Sequence, residues 1–203
     1  MKYGTLLVIL ALGALLAAGA ARADDGGEGQ VLLMSGGMFY HLTPLTLDGL
    51  PGDDRALSHG LGGRLGFYPF RYLRLGGGGD VGTASFGELE SYLRTGHGGL
   101  IVEGALPLGP VEILLGALIG GQSMRVYDFE EELGDGELRV RRYRESAFIV
   151  TPLLSVEVTF IKRLKASFYV QYLPAPLMDG FYDHTVTLAL GLQFNSYVKK
   201  RQE

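Results

Sequence analysis

The 203-residue chain has no cysteine and no tryptophan, and its 18 lysines and arginines are outnumbered by 22 aspartates and glutamates. Without cysteine there are no disulfides to hold a small exported fold, which must then rest on hydrogen bonding and apolar contact alone. The shortage of positive charge argues against nucleic acid as a partner, since phosphate binding needs a basic face. Long apolar runs are missing as well, save one at the start. After residue 23 no stretch reaches the roughly 20 residues of a spanning helix, and few windows hold a helical period for three turns.

What is present begins with a leader. Lys2 precedes the apolar run Leu6 to Ala18, and small residues follow up to Ala21-Arg22-Ala23, an A-x-A-like cleavage pattern. Residues 1–23 therefore read as a secretory signal peptide, with the mature chain starting near Asp24 and forming one domain over residues 24–203. Losing Lys2 and Arg22 takes the formal charge from −4 to −6. Of the 32 glycines, 29 lie in the mature chain and are spread through apolar segments, where they disfavour helices.

The recurring period is two. Val186, Leu188, Leu190, Leu192 and Phe194 alternate with Thr185, Thr187, Ala189, Gly191 and Gln193, one greasy face against a small or polar one. Phe148 to Phe160 and Val111 to Ile119 repeat the pattern. Such runs predict eight strands near residues 30–42, 59–69, 72–86, 92–106, 111–127, 141–160, 165–174 and 184–197; the first is irregular, because Val31-Leu32-Leu33-Met34 does not alternate. Tight connections (69–71, 107–110, 161–164) alternate with long ones (43–58, 87–91, 128–140, 174–183). Short turns at one end, longer loops at the other and an even strand count specify an all-β, eight-stranded antiparallel up-and-down transmembrane β-barrel.

Aromatic residues gather near strand ends, where they predict two interfacial girdles: Phe67, Tyr68, Phe70, Tyr72, Phe160 and Phe194 toward the tight turns, and Phe39, Tyr40, Phe86, Tyr92, Tyr127, Phe129, Tyr143 and Tyr182 toward the long loops. With the greasy faces on lipid, Arg64, Arg74, Glu103, Glu112 and Glu157 fall inside. Enclosed charges must pair, so a lumenal salt-bridge network is expected. It either fills the lumen or, in a second reading, lines an ion path.

On these patterns the chain resembles the small outer-membrane β-barrel proteins of the OmpA-barrel or OmpX type over residues 24–203. The resemblance implies an outer-membrane location with both termini periplasmic, and outer-membrane lipids and lipopolysaccharide as partners. It also implies recognition of the last strand by the barrel-assembly machinery through Leu192 and Phe194, although here Asn195 to Glu203 follow where that family usually ends on an aromatic. A structural, adhesive or surface-protective role goes with it.

Other chemistry is sparse. His41, His59 and His184 sit on strands that closure makes neighbours, the pattern turns them outward, and Ser58 and Asp183 are close in sequence. The arrangement is similar to the outer-rim His, Ser and acid of lipid A deacylase barrels, which makes a lipid A-modifying enzyme the alternative reading. Thirteen of the 22 acids lie in the long loops; Asp128 to Glu137 lacks the glycine and ligand spacing of an EF-hand, so solvated charge is expected and no metal or cofactor is assigned. Gly76 to Gly79 lacks the Lys-Ser or Lys-Thr and the helix of a phosphate loop. Lys199, Lys200 and Arg201 read as a solvated basic tail. A narrow solute channel and a soluble lipocalin-like barrel, with its apolar faces inward, complete the alternatives.

Overall fold

The computed structural model describes residues 30–46, 55–86, 91–131, 138–161, 163–173 and 185–199. The expected signal peptide lies outside the described residues, as do Asp183, His184 and Tyr182. Eight strands follow in order: β1 Gln30–Thr46, β2 Arg55–Phe70, β3 Leu73–Phe86, β4 Ser91–Leu108, β5 Val111–Glu131, β6 Leu138–Ile161, β7 Leu164–Leu173 and β8 Thr185–Lys199. Each pairs antiparallel with its neighbours in sequence, and β1 pairs with β8, closing the sheet into a barrel. Closure gives every strand of the sheet a paired neighbour on each side, the condition for crossing lipid with strands, although the upper part of β6, before Leu153, pairs with β5 alone among the described residues.

Alternation decides which face turns in. On β2, Leu57, Leu61, Leu65 and Phe67 are exposed, whereas Ser58, Arg64, Gly66 and Tyr68 are buried in the lumen. Among the described residues, thirty large apolar or aromatic side chains are exposed around the barrel, Leu100, Leu190 and Phe148 among them. In water that would be untenable; against hydrocarbon it is the expected belt.

Three departures from the sequence reading have physical causes. First, the register between β1 and β8 shifts between Leu32 and Met34. A single-residue shift swaps faces, so Met38, Tyr40 and Leu42 point out and Phe39, His41, Thr43 and Leu45 point in. Second, several strands run further than expected: β1 reaches Thr46, β2 starts at Arg55, and β5 and β6 stay paired up to Glu131 and Leu138. Asp128 is therefore a buried strand residue that accepts a hydrogen bond from Ser91 Oγ at 3.1 Å, not a loop acid. Third, Phe39, Tyr68 and Phe86 belong to the lumen instead of the girdles, because each falls on the inward parity.

The lumen is packed in layers. Tyr68, Ala105 and Leu114 cluster toward the tight turns. Phe39, Ile101, Leu118, Ile149, Leu153, Tyr169 and Ala189 fill the waist, and Leu45, Ala84, Phe86, Leu93, Met124 and Val126 close the end that carries the long connections. Glycines let the walls approach: a Cβ on Gly37 would lie 2.0 Å from the Leu192 carbonyl oxygen. Gly109, at φ 69°, takes the left-handed conformation that the turn between β4 and β5 needs.

Candidate functional site: the lumenal charge network

Arg74 on β3 stands directly opposite Glu103 on β4. Its Nε donates to Glu103 Oε2 at 2.6 Å, and its Nη1 donates to Glu157 Oε1 at 2.6 Å. Arg64 Nη1 reaches Glu103 Oε1 at 3.3 Å and Ser155 Oγ at 3.0 Å. Its guanidinium also lies 4.5 Å from the centre of the Tyr169 ring, a cation–π contact that helps seat a buried cation.

Glu112 and Glu157 are direct cross-strand partners on β5 and β6, and like charges so placed repel. Lys165 on β7 resolves the conflict. Its Nζ donates to Glu112 Oε2 at 2.5 Å and to Glu157 Oε2 at 3.2 Å. Tyr68 donates to Glu112 Oε2 at 3.1 Å, Gln193 Nε2 to Glu157 Oε1 at 2.9 Å, and Ser35 Oγ to Gln193 Oε1 at 2.8 Å. Three cations thus face three carboxylates, and Glu103 and Glu157 are wholly enclosed. All five residues singled out from sequence lie in this one network.

Sequence reasoning passed over Lys165, although Lys165, Ser167, Tyr169 and Gln171 alternate with Ala166, Phe168, Val170 and Tyr172 and so place it inside. It also passed over a second polar layer on the long-connection side. Asp80, on the same parity as Arg74, meets His97 Nδ1 at 2.9 Å and His41 Nε2 at 3.8 Å. His97 Nε2 lies 3.1 Å from Gln171 Oε1, and Gln171 Nε2 donates to Thr151 Oγ1 at 2.7 Å.

The outer-rim candidates do not converge on one surface. His41 and Ser58 are buried in the lumen and His59 points outward, correcting the expectation that His41 faces out; the register shift in β1 is the reason. His184 and Asp183 lie outside the described residues. Among the described residues, no three His, Asp or Glu side chains come together to hold a metal ion.

The lumen offers chemistry little room. Cavities bordered by Arg64, Arg74 and Glu103, by Asp80, His97 and Gln171, and by His41, Thr43 and Gln122 measure about 10 Å³ each, about the space of one water. Among the described residues, the network can therefore hold the walls together without enclosing a substrate-sized space.

No protein-family model matches the chain, and no curated protein matches it in sequence. Solved structures do match in shape. Ail, the attachment invasion locus protein of Yersinia pestis, is 10% identical with a TM-score of 0.56, over 82% of this chain and 100% of its own. Neisserial surface protein A is 14% identical with a TM-score of 0.57, over 82% and 99%. The outer membrane protein OprG from Pseudomonas aeruginosa is 9% identical with a TM-score of 0.57, over 83% and 98%. With the closed eight-strand sheet, the apolar exterior and the enclosed charges, these likenesses establish the fold as that of the small outer-membrane β-barrel proteins.

Proposed function

We propose that the protein is an integral outer-membrane barrel with a structural, adhesive or surface-protective role and no catalysis. One observation carries this reading: the polarity of the barrel is reversed relative to a soluble one, with leucines, valines and phenylalanines outside and Arg64, Arg74, Glu103, Glu112, Lys165 and Glu157 inside. Such a surface is stable only in lipid. The small size of the spaces between the described lumenal side chains favours a plug over a path.

In this reading both termini and the tight turns face the periplasm, and the long, acid-rich connections face outward, where lipids and lipopolysaccharide are the first partners met. Leu192 and Phe194, exposed on the closing strand β8, present the alternating pair that the barrel-assembly machinery would read. An adhesive role is supported by the shape shared with Ail, which has also been crystallised with the heparin analogue sucrose octasulfate.

Heat-modifiable migration on isolated outer membranes tests the proposal. The protein is expected in that fraction, running differently before and after boiling. Recovery in the soluble periplasmic fraction, or in the buffer phase after detergent partition, would overturn it.

A further inference from the structure

Three arginines stand side by side on the outside of the barrel. Arg94 on β4 is the direct cross-strand partner of Arg125 on β5, and Arg125 is the partner of Arg144 on β6. All three are exposed on the outward parity, and among the described residues none meets a carboxylate. Like charges directly opposite one another destabilise a sheet, so a row of three calls for an anion.

Depth identifies the kind of anion. On β5 and β6 the row lies 14 residues from Val111 and Val158, next to the turns. With a rise of about 3.3 Å per residue and a strand tilt of about 40°, that is about 35 Å above the turn end, beyond an apolar band about 25 Å tall. The next outward row in the same direction is Tyr92, Tyr127 and Arg142, with the two tyrosine rings stacked at 4.6 Å, a mark of the headgroup zone.

Below the arginines the wall is nearly bare. One step toward the band lie Gly96, Ser123 and Ser146, and the step after that joins Gly79, Gly98 and Gly121 as cross-strand partners. A shallow, open depression lies there, bordered by Val81, Gly96, Gly98, Gly121, Ser123 and Ser146, with Asp80, His97 and Gln122 also in its lining. Phe148, the partner of Gly121, and Leu100 stand exposed at its margins.

We propose that Arg94, Arg125 and Arg144 hold the phosphates of a phosphorylated, multiply acylated glycolipid of the outer leaflet, the lipid A class, and that the glycine depression beneath receives one of its acyl chains. This rests on the reading of the chain as an outer-membrane barrel with its long connections outermost. Charge above and, below it, a wall free of large outward side chains that leads down to Phe148 and Leu100 match an amphiphile. A soluble sulfated glycan would match the charge alone and would leave the depression unused.

The test refolds the full chain into phosphatidylcholine vesicles containing increasing fractions of bisphosphorylated lipid A and follows the temperature at which the heat-modifiable band is lost. That temperature should rise with bisphosphorylated lipid A and not with its dephosphorylated form. The variant Arg94→Gln/Arg125→Gln/Arg144→Gln should need at least about tenfold more lipid A for the same rise; if it fails to insert, Arg125→Gln alone serves. Gly121→Leu, which fills the depression and keeps the charges, should blunt the response. An undiminished response in the arginine variant would overturn the proposal, as would an equal rise caused by inorganic phosphate or a heparin fragment in vesicles free of lipid A. Failure of the wild type to fold into plain phosphatidylcholine would instead count against the membrane-barrel reading itself.

Discussion

Arg74 and Glu103 face one another across adjacent strands and meet at 2.6 Å with both side chains sealed from solvent. The contact joins β3 to β4, and through Glu157 the same guanidinium reaches across the lumen to β6. The network is therefore a tie between opposite walls of the barrel.

Removing one member should cost far more than removing a pair. Glu103→Gln leaves Arg64 and Arg74 short of a carboxylate and should destabilise the barrel by about 3 to 5 kcal/mol. Arg74→Met/Glu103→Leu, which removes both charges and keeps volume, should recover part of that loss. Urea titration of the refolded protein in phosphatidylcholine vesicles, followed by far-ultraviolet circular dichroism, measures both.

The architecture was legible because a barrel wall writes its two faces into one strand with period two. Val186 to Phe194 alone separates lipid from lumen, and Arg64, Arg74, Glu103, Glu112 and Glu157 share the inward parity on five strands. Partnership was not legible, because it depends on register. Nothing local to Glu112 or Glu157 shows that they stand opposite each other and require Lys165 between them. His41 was misassigned for a related reason: the shift between Leu32 and Met34 reverses the parity of everything after it in β1. The arginine row was missed because Arg94, Arg125 and Arg144 are scattered in sequence and are aligned only by pairing.

The outward belt can be tested at one position. Leu100 is 69% exposed, between Gly77 and Ile119 on the neighbouring strands. Leu100→Arg should cost about 2 to 4 kcal/mol in the same vesicle titration, the cost of a cation near mid-membrane. A soluble barrel would accept it with little change.

Two glycines give opposite expectations. A Cβ on Gly37 would sit 2.0 Å from a backbone oxygen of β8, whereas one on Gly121 would find its nearest neighbour at 3.9 Å. Gly37→Ala should therefore destabilise by about 1 to 3 kcal/mol through forced separation of β1 and β8. Gly121→Ala should stay within about 0.5 kcal/mol. Comparing the two by urea titration separates a packing requirement from a general effect of adding a methyl group.

The non-catalytic reading predicts that lipid A is left as it is. His41 and Ser58 face the lumen and His59 faces out, so no single surface presents them together to a lipid. Lipid A from cells expressing the wild type and from cells expressing His41→Ala/Ser58→Ala/His59→Ala/His184→Ala should give the same acylation pattern by mass spectrometry. Loss of a deacylated species in the variant would reinstate the enzyme.

Conductance is the remaining discriminator. The spaces beside Arg64 and Arg74 and beside Asp80 and His97 are about 10 Å³ each, and the apolar cluster of Leu45, Phe86, Leu93 and Met124 closes the lumen beyond them. A hydrated ion would have to displace paired charges at one layer and enter dry hydrocarbon at the next, and both moves are unfavourable. Planar bilayers containing the refolded wild type should therefore show no discrete current steps. Arg64→Ala/Tyr169→Ala hollows the waist but leaves the apolar closure, so it should stay silent; adding Phe86→Ala and Leu93→Ala should give small steps. Steps from the wild type would mean that the lumen opens, and the plug would have to be redrawn as a gate.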